Sequence, residues 1–153
     1  KNILVMRRAM EYAASCDMTV FLHAEDPGLS NNGCAHEGIM STRLGLPAIP
    51  ESAETAAVSR DLMLIEQTGV RAHFSHISSA NALHMIAQAK QQGLPISVDV
   101  SIHHLHLTDL DIGFFDSNCH VIPPLRSQRD KRGLQQGVKQ NSIDALCSDH
   151  QRN

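Results

Sequence analysis

This sequence has no basic surplus, no CxxC pair, no apolar run of membrane-spanning length and no glycine-rich phosphate loop. Each absence removes a class of function. A formal net charge of −3, without any run of Lys or Arg, gives no electrostatic footprint for nucleic acid or for an anionic membrane surface. No stretch is long and apolar enough for a spanning helix, and no charged-then-apolar leader opens the chain, so a cytoplasmic protein is expected. Cys16, Cys34, Cys119 and Cys147 are scattered, which argues against a disulfide framework. Without a G-x-G-x-x-G or P-loop pattern after any apolar run, a nucleotide-binding Rossmann unit is not expected.

What is present is histidine. Ten of the 153 residues are His, against one Tyr and no Trp, which raises the prior for metal or acid–base chemistry. Hydrophobic content of 42% and charged content of 19% describe a globular chain with a real core. The hydrophobic pattern alternates in period. Residues 2–15 read as a helix, 19–22 as a buried strand, and 30–50 as irregular loop with one short helix. Ser52 is placed to cap a helix that stops at Gly69, residues 70–77 read as a strand, and Ser79 caps the next helix. Residues 96–100 form a third strand, 127–138 a weak glycine-interrupted helix, and 143–147 a last strand. Helix–strand alternation of this kind means parallel βα units.

The polar residues favour a barrel over an open sheet. His23, His76, the His103–His104 pair and Asp149 all fall at or just beyond the carboxyl ends of strands, the face on which barrel enzymes build their sites. Two imidazoles and a carboxylate from separate strand ends suit Zn²⁺. Taken singly, each histidine is more often a half-buried, hydrogen-bonded residue than a ligand; three at corresponding places change that balance. His73, an odd number of residues before His76, should face the opposite way and be structural. Of His103, His104 and His106, in a loop, one is a candidate to line the site and two are expected in solvent. Glu25 and Asp26 are candidates to orient His23, or are plain loop carboxylates. Arg126 either grips a carboxylate or is a surface charge. Cys147 reads as a small core residue.

His23-Ala24-Glu25-Asp26, Gly45-Leu46-Pro47-Ala48-Ile49-Pro50-Glu51 and His73-Phe74-Ser75-His76-Ile77-Ser78-Ser79 look like successive segments of one family. So do His103-His104-Leu105-His106-Leu107-Thr108-Asp109, Pro123-Pro124-Leu125-Arg126 and Ile143-Asp144-Ala145-Leu146-Cys147-Ser148-Asp149-His150. In order and spacing the chain resembles the dihydroorotases of the amidohydrolase superfamily, over nearly its whole length. The resemblance implies a TIM-type (β/α)8 amidohydrolase barrel of which residues 1–153 supply about strands 5–8, a single incomplete domain. It implies one or two Zn²⁺ ions, with His23, His76 and Asp149 as ligands. Asp149 would also be catalytic, moving a proton from the attacking water to the leaving nitrogen. The reaction implied is interconversion of carbamoyl-aspartate and dihydroorotate in pyrimidine synthesis, by a homo-oligomer.

Arg126, His104, Ile122 and Asn153 stand where the resemblance places substrate contacts, and two of them depart from the family pattern. Ile122 replaces an asparagine before Pro-Pro-Leu-Arg, and Asn153 replaces a histidine. Isoleucine donates no hydrogen bond, and an unpaired polar group on substrate costs ~1–3 kcal/mol. Such losses are what a catalytically silent relative, retained as a scaffold for aspartate transcarbamoylase, would show. A hydantoinase-like amidase with another ring substrate is a third reading.

Overall fold

Asn2 opens the first helix, α1 (Ile3–Ser15), its side-chain oxygen accepting the N–H of Leu4 and so satisfying a donor that every helix start leaves open. The computed structural model of the chain describes residues 2–26, 29, 35–38, 42, 48–114 and 123–147. After α1 come the strands β1 (Thr19–Leu22), β2 (Ala35–His36) and β3 (Ala48–Ile49), then helix α2 (Glu51–Thr68) and β4 (Arg71–Phe74). Helix α3 (Ala80–Gln91), β5 (Ile96–Ser101), the short α4 (Ile102–His106), a 3-10 turn (Asp109–Phe114), α5 (Gln128–Lys139) and β6 (Ala145–Cys147) complete the order.

β1, β4, β5 and β6 form one parallel sheet in that order, and β2 and β3 pair apart from it. The register sets Phe21 opposite His73, His73 opposite Ser97, and Ser101 opposite Cys147. Side chains alternate along a strand, so the pairing sorts residues onto two faces. Leu22, Ala72, Phe74, Ile96, Val98 and Val100 share one core with Val58 and Ile65 of α2, Leu83 and Ile86 of α3, and Leu134 of α5. Each such side chain taken fully from water is worth ~1.5–3 kcal/mol. Phe74, 0% exposed, is the keystone of this face; truncation to alanine costs ~3–5 kcal/mol. The other face carries Phe21, His73, Ser97, Asp99 and Cys147. The strand read as buried over 19–22 is buried only at Leu22: Phe21 is 72% exposed, on the side that a closed barrel would enclose.

Several sequence expectations shift. The segment read as loop with a short helix contains the parallel pair β2–β3. Helix α2 starts at Glu51 with Pro50 as its cap residue and no side-chain cap bond, so Ser52 lies inside the helix. Gly69 does end it, at φ 71, in the left-handed region that glycine enters without cost. Ser79 caps α3 as expected, accepting from the Ala82 N–H. The strand expected over 70–77 stops at Phe74 because His76 turns to φ 57, which a strand cannot accommodate.

The glycines of α5 are not interruptions. A Cβ on Gly133 would lie 2.4 Å from the Ala80 Cβ, so its absence is what lets α5 approach α3. His103, His104 and His106 belong to α4 rather than a loop. This helix is capped by the Ser101 hydroxyl, which accepts from the His103 N–H.

Candidate metal centre at the strand ends

His23 directly follows β1, and His76 lies two residues beyond β4. The parallel alignment of these strands brings the two imidazoles together: their rings stack with centroids 5.8 Å apart and planes 8° from parallel. Together with Glu25, Glu54, Ser75, Pro123 and Arg126 they line a small open cleft. Asp149, Ile122 and Asn153 lie outside the described residues, as do His120 and His150.

The chain leaves the sheet at this point by changing partner. The Ser75 N–H donates to the Leu22 carbonyl at 2.9 Å, and the Ile77 N–H to the Asp99 carbonyl at 3.0 Å. His76 sits between, at its positive φ, a conformation that costs a β-carbon residue of order 1–3 kcal/mol unless its surroundings enforce it. Asp99 is one enforcer: its Oδ1 accepts the His76 N–H at 2.8 Å. Its Oδ2 lies 2.6 Å from His73 Nε2, while His73 Nδ1 meets the Ser97 hydroxyl at 2.6 Å. A carboxylate only accepts, so Nε2 of His73 carries the proton and, in the neutral ring, Nδ1 accepts from Ser97. Burial alone would raise the Asp99 pKa; hydrogen bonds from His73 and the His76 N–H, with the charges of both rings, outweigh it and hold the pKa below its usual value.

Strand alternation therefore fails as a guide to His73. Because His76 has left the strand, an odd separation no longer places the two on opposite sides, and both engage one carboxylate. Asp99 itself was missed. The signal was present in Ile96-Ser97-Val98-Asp99-Val100, where polar residues alternate with buried apolar ones and point Asp99 to the face of His73. Cys147 is likewise not a simple core thiol. Half-buried at the end of β6, its Sγ lies 3.2 Å from His76 Nδ1 and donates to Asp99 Oδ1 at 3.6 Å. One donor atom each from His76, Asp99 and Cys147 fall within 4.8 Å of one another.

Beneath the cleft, Glu54 of α2 is buried and fixes the turn after His76. It accepts from the Ser78 N–H and hydroxyl and from the Ser79 N–H, all within 3.2 Å. Burial raises its pKa, opposed by the charge of Arg126 and those bonds. Arg126 is no surface charge: it is 3% exposed, donating from Nε to the Ser78 hydroxyl and from Nη1 to the Ile49 carbonyl and His36 Nδ1. Burial and the nearby guanidinium lower the pKa of His36.

His104 does not line the cleft. It is buried with Nε2 at 2.9 and 3.1 Å from the Pro123 and Pro124 carbonyls, holding the turn that delivers Arg126, and burial lowers its pKa to about 4. His103 and His106 are exposed, as the sequence suggested. Neither Glu25 nor Asp26 bonds the His23 ring among the described contacts; Asp26 Oδ1 instead accepts the Leu29 N–H.

A parallel βα sheet with paired imidazoles at its carboxyl edge is the arrangement that one segment of a (β/α) barrel presents. Among solved structures, the L-hydantoinase (dihydropyrimidinase) of Arthrobacter aurescens superposes with a TM-score of 0.85 at 23% identity, covering 98% of this chain and 34% of that one. That likeness establishes the fold, of which this chain is a part. A family model described as dihydro-orotase-like matches residues 2–82, and the chain belongs to this dihydroorotase-like family. A dihydroorotase-like protein of Pseudomonas putida is 51% identical over 150 residues, spanning 98% of this chain and 35% of the relative. A dihydroorotase of Syntrophobacter fumaroxidans is 44% identical over 149 residues, spanning 97% and 34%. The chain thus spans about a third of the length of the curated relatives it matches.

Proposed function

We propose that this chain supplies the C-terminal half of the barrel, about strands 5–8, of a metal-dependent cyclic-amide hydrolase of the dihydroorotase type. The observation that carries the reading is the stacked His23–His76 pair at adjacent strand ends. Its donor set fits a zinc-class ion: two imidazoles on rigid strand termini, joined by the Asp149 carboxylate in the reading from sequence. When bound, such an ion supplies Lewis-acid polarisation of a ring carbonyl and lowers the pKa of water.

The chain's own residues do the rest. His76 Nδ1 faces β6, so Nε2 is the nitrogen left for a cation shared with His23. Asp99 locks the backbone of His76 and thereby the direction of its ring. Asp149 takes the proton of the attacking water and passes it to the leaving nitrogen. Arg126, immobilised by Ser78 and Ile49, gives the cleft a cation suited to a ring substrate bearing a carboxylate, such as dihydroorotate or carbamoyl-aspartate, its charge balanced in part by Glu54. The second reading, a silent dihydroorotase-like subunit that scaffolds aspartate transcarbamoylase, is favoured by one sequence observation, the loss of polar substrate contacts at Ile122 and Asn153. Metal content and dihydroorotate hydrolysis by the full-length protein separate the two. Bound zinc with turnover that His76→Asn abolishes supports the enzyme; a metal-free, inactive protein supports the scaffold. Soluble, cytoplasmic, homo-oligomeric behaviour belongs to the same proposal.

A further inference from the structure

We infer that His76, Asp99 and Cys147 form a second cation site, for a thiophilic divalent ion of the zinc and cadmium class, on the β6 side of His76. Three donors from three separate stretches of chain converge there. Cys147 Sγ lies 3.2 Å from His76 Nδ1 and 3.6 Å from Asp99 Oδ1, and His76 Nδ1 lies 4.0 Å from Asp99 Oδ1.

In a tetrahedral zinc site with bonds of about 2.0–2.3 Å, ligand atoms sit about 3.3–3.8 Å apart. The three distances therefore approximate one face of such a tetrahedron. Chemistry agrees with geometry. Imidazole and thiolate are the donors that a thiophilic ion prefers, and thiolate plus carboxylate match its double positive charge. All three residues are half-buried, so the cluster is shielded yet reachable. On binding, the Cys147 S–H bond breaks, sulfur keeps the electron pair for the ion, and the proton leaves to solvent.

This site goes beyond the hydrolase reading and shares His76 as a ligand with it, through the opposite ring nitrogen; with both ions bound the ring becomes an imidazolate, its N–H proton leaving to solvent. Cys147 has no place in the centre built on His23 and Asp149, and Asp99 acts there only by holding the His76 N–H.

The test is a titration of metal-free full-length protein with Cd²⁺ alone, following the sulfur-to-cadmium charge-transfer absorption in the ultraviolet. The band is expected in the wild type, absent in Cys147→Ser, shifted to at least tenfold higher Cd²⁺ in Asp99→Asn, and retained in His23→Asn. Persistence of the band in Cys147→Ser, its absence from the wild type, or its loss in His23→Asn overturns the inference. If Cys147→Ser does not fold, alkylation of Cys147 in the wild type, read by peptide mass spectrometry, decides: protection by Cd²⁺ supports the site and unchanged alkylation overturns it. Because none of these readouts uses hydrolysis, an inactive protein that still binds Cd²⁺ through Cys147 defeats the hydrolase reading and leaves this one standing.

Discussion

Asp99 Oδ1 accepts the backbone N–H of His76 at 2.8 Å, so a carboxylate on β5 holds the residue that turns to φ 57 just past the end of β4. The other oxygen of the same carboxylate is held by His73 at 2.6 Å. In the centre proposed with His23, this arrangement would fix the direction of the His76 ring through a residue that is not a ligand there. Asp99→Asn keeps the shape but weakens both bonds. Zinc affinity of the full-length protein, measured by competition with a chelator, is expected to fall roughly 10–100-fold. An unchanged affinity would remove Asp99 from the account of the centre.

Glu54 is asked only to accept. Its two oxygens receive two backbone N–H groups and one hydroxyl, and Glu54→Gln turns an NH2 donor toward donors already in place. Leaving buried N–H groups unmatched costs about 1–3 kcal/mol each. Urea unfolding is expected to show a loss of this order, with the cleft residues His23 and His76 untouched in sequence. A fully stable Glu54→Gln protein would mean that the Ser78–Ser79 turn is held elsewhere.

His104 sets a pH dependence whose sign follows from burial. Its folded pKa is about 4 against an ordinary 6.5, so folding favours the neutral ring. Above pH 6.5 the ring is neutral in both folded and unfolded chains, and the fold suffers no penalty. As pH falls from 6.5 toward 4 the unfolded chain binds a proton that the folded one refuses, and stability declines by about 3 kcal/mol. His104→Gln, which keeps an N–H donor but cannot titrate, is expected to flatten that segment of a stability–pH curve. An equally steep curve in the variant would assign the slope to other groups.

Gly133 weighs two opposed effects. In a free helix, Gly to Ala gains about 1 kcal/mol from propensity. Here the new Cβ would meet the Ala80 Cβ at 2.4 Å, a rigid neighbour, and overpacking typically costs 1–3 kcal/mol. The clash wins, so Gly133→Ala is expected to lower the melting temperature. Gly137→Ala meets the tip of Leu83 at 2.5 Å, which can rotate away, and should lose less. The reverse ranking would contradict the observed approach of α5 to α3.

Much of the architecture was written in local pattern. The β1 residues 19–22, the Ser79 cap, the Gly69 stop and the parallel βα order all follow from short-range periodicity and capping chemistry. So did the placing of His23 and His76 at strand ends. What escaped was tertiary in origin. No residue type announces that a histidine will adopt a left-handed backbone, and that turn alone redirects His76 and undoes the alternation argument for His73. Gly133 looked like a helix breaker because a glycine's reason, a neighbour at close range, is not in its own segment. Arg126 was ambiguous for the same reason: its partners Ser78 and Ile49 lie 48 and 77 residues away. Asp99 was legible in the alternation of its strand, but only to a reading that asked which face each polar residue takes.

The central claim is that the imidazoles of His23 and His76 hold one cation. Anomalous diffraction at the zinc edge, from crystals of the full-length protein grown with Zn²⁺, tests it most directly. The account requires a peak within about 2.0–2.1 Å of a nitrogen from each ring, with the Asp149 carboxylate in the same coordination sphere. Zinc bound by only one of the two histidines, or none between them, would contradict it.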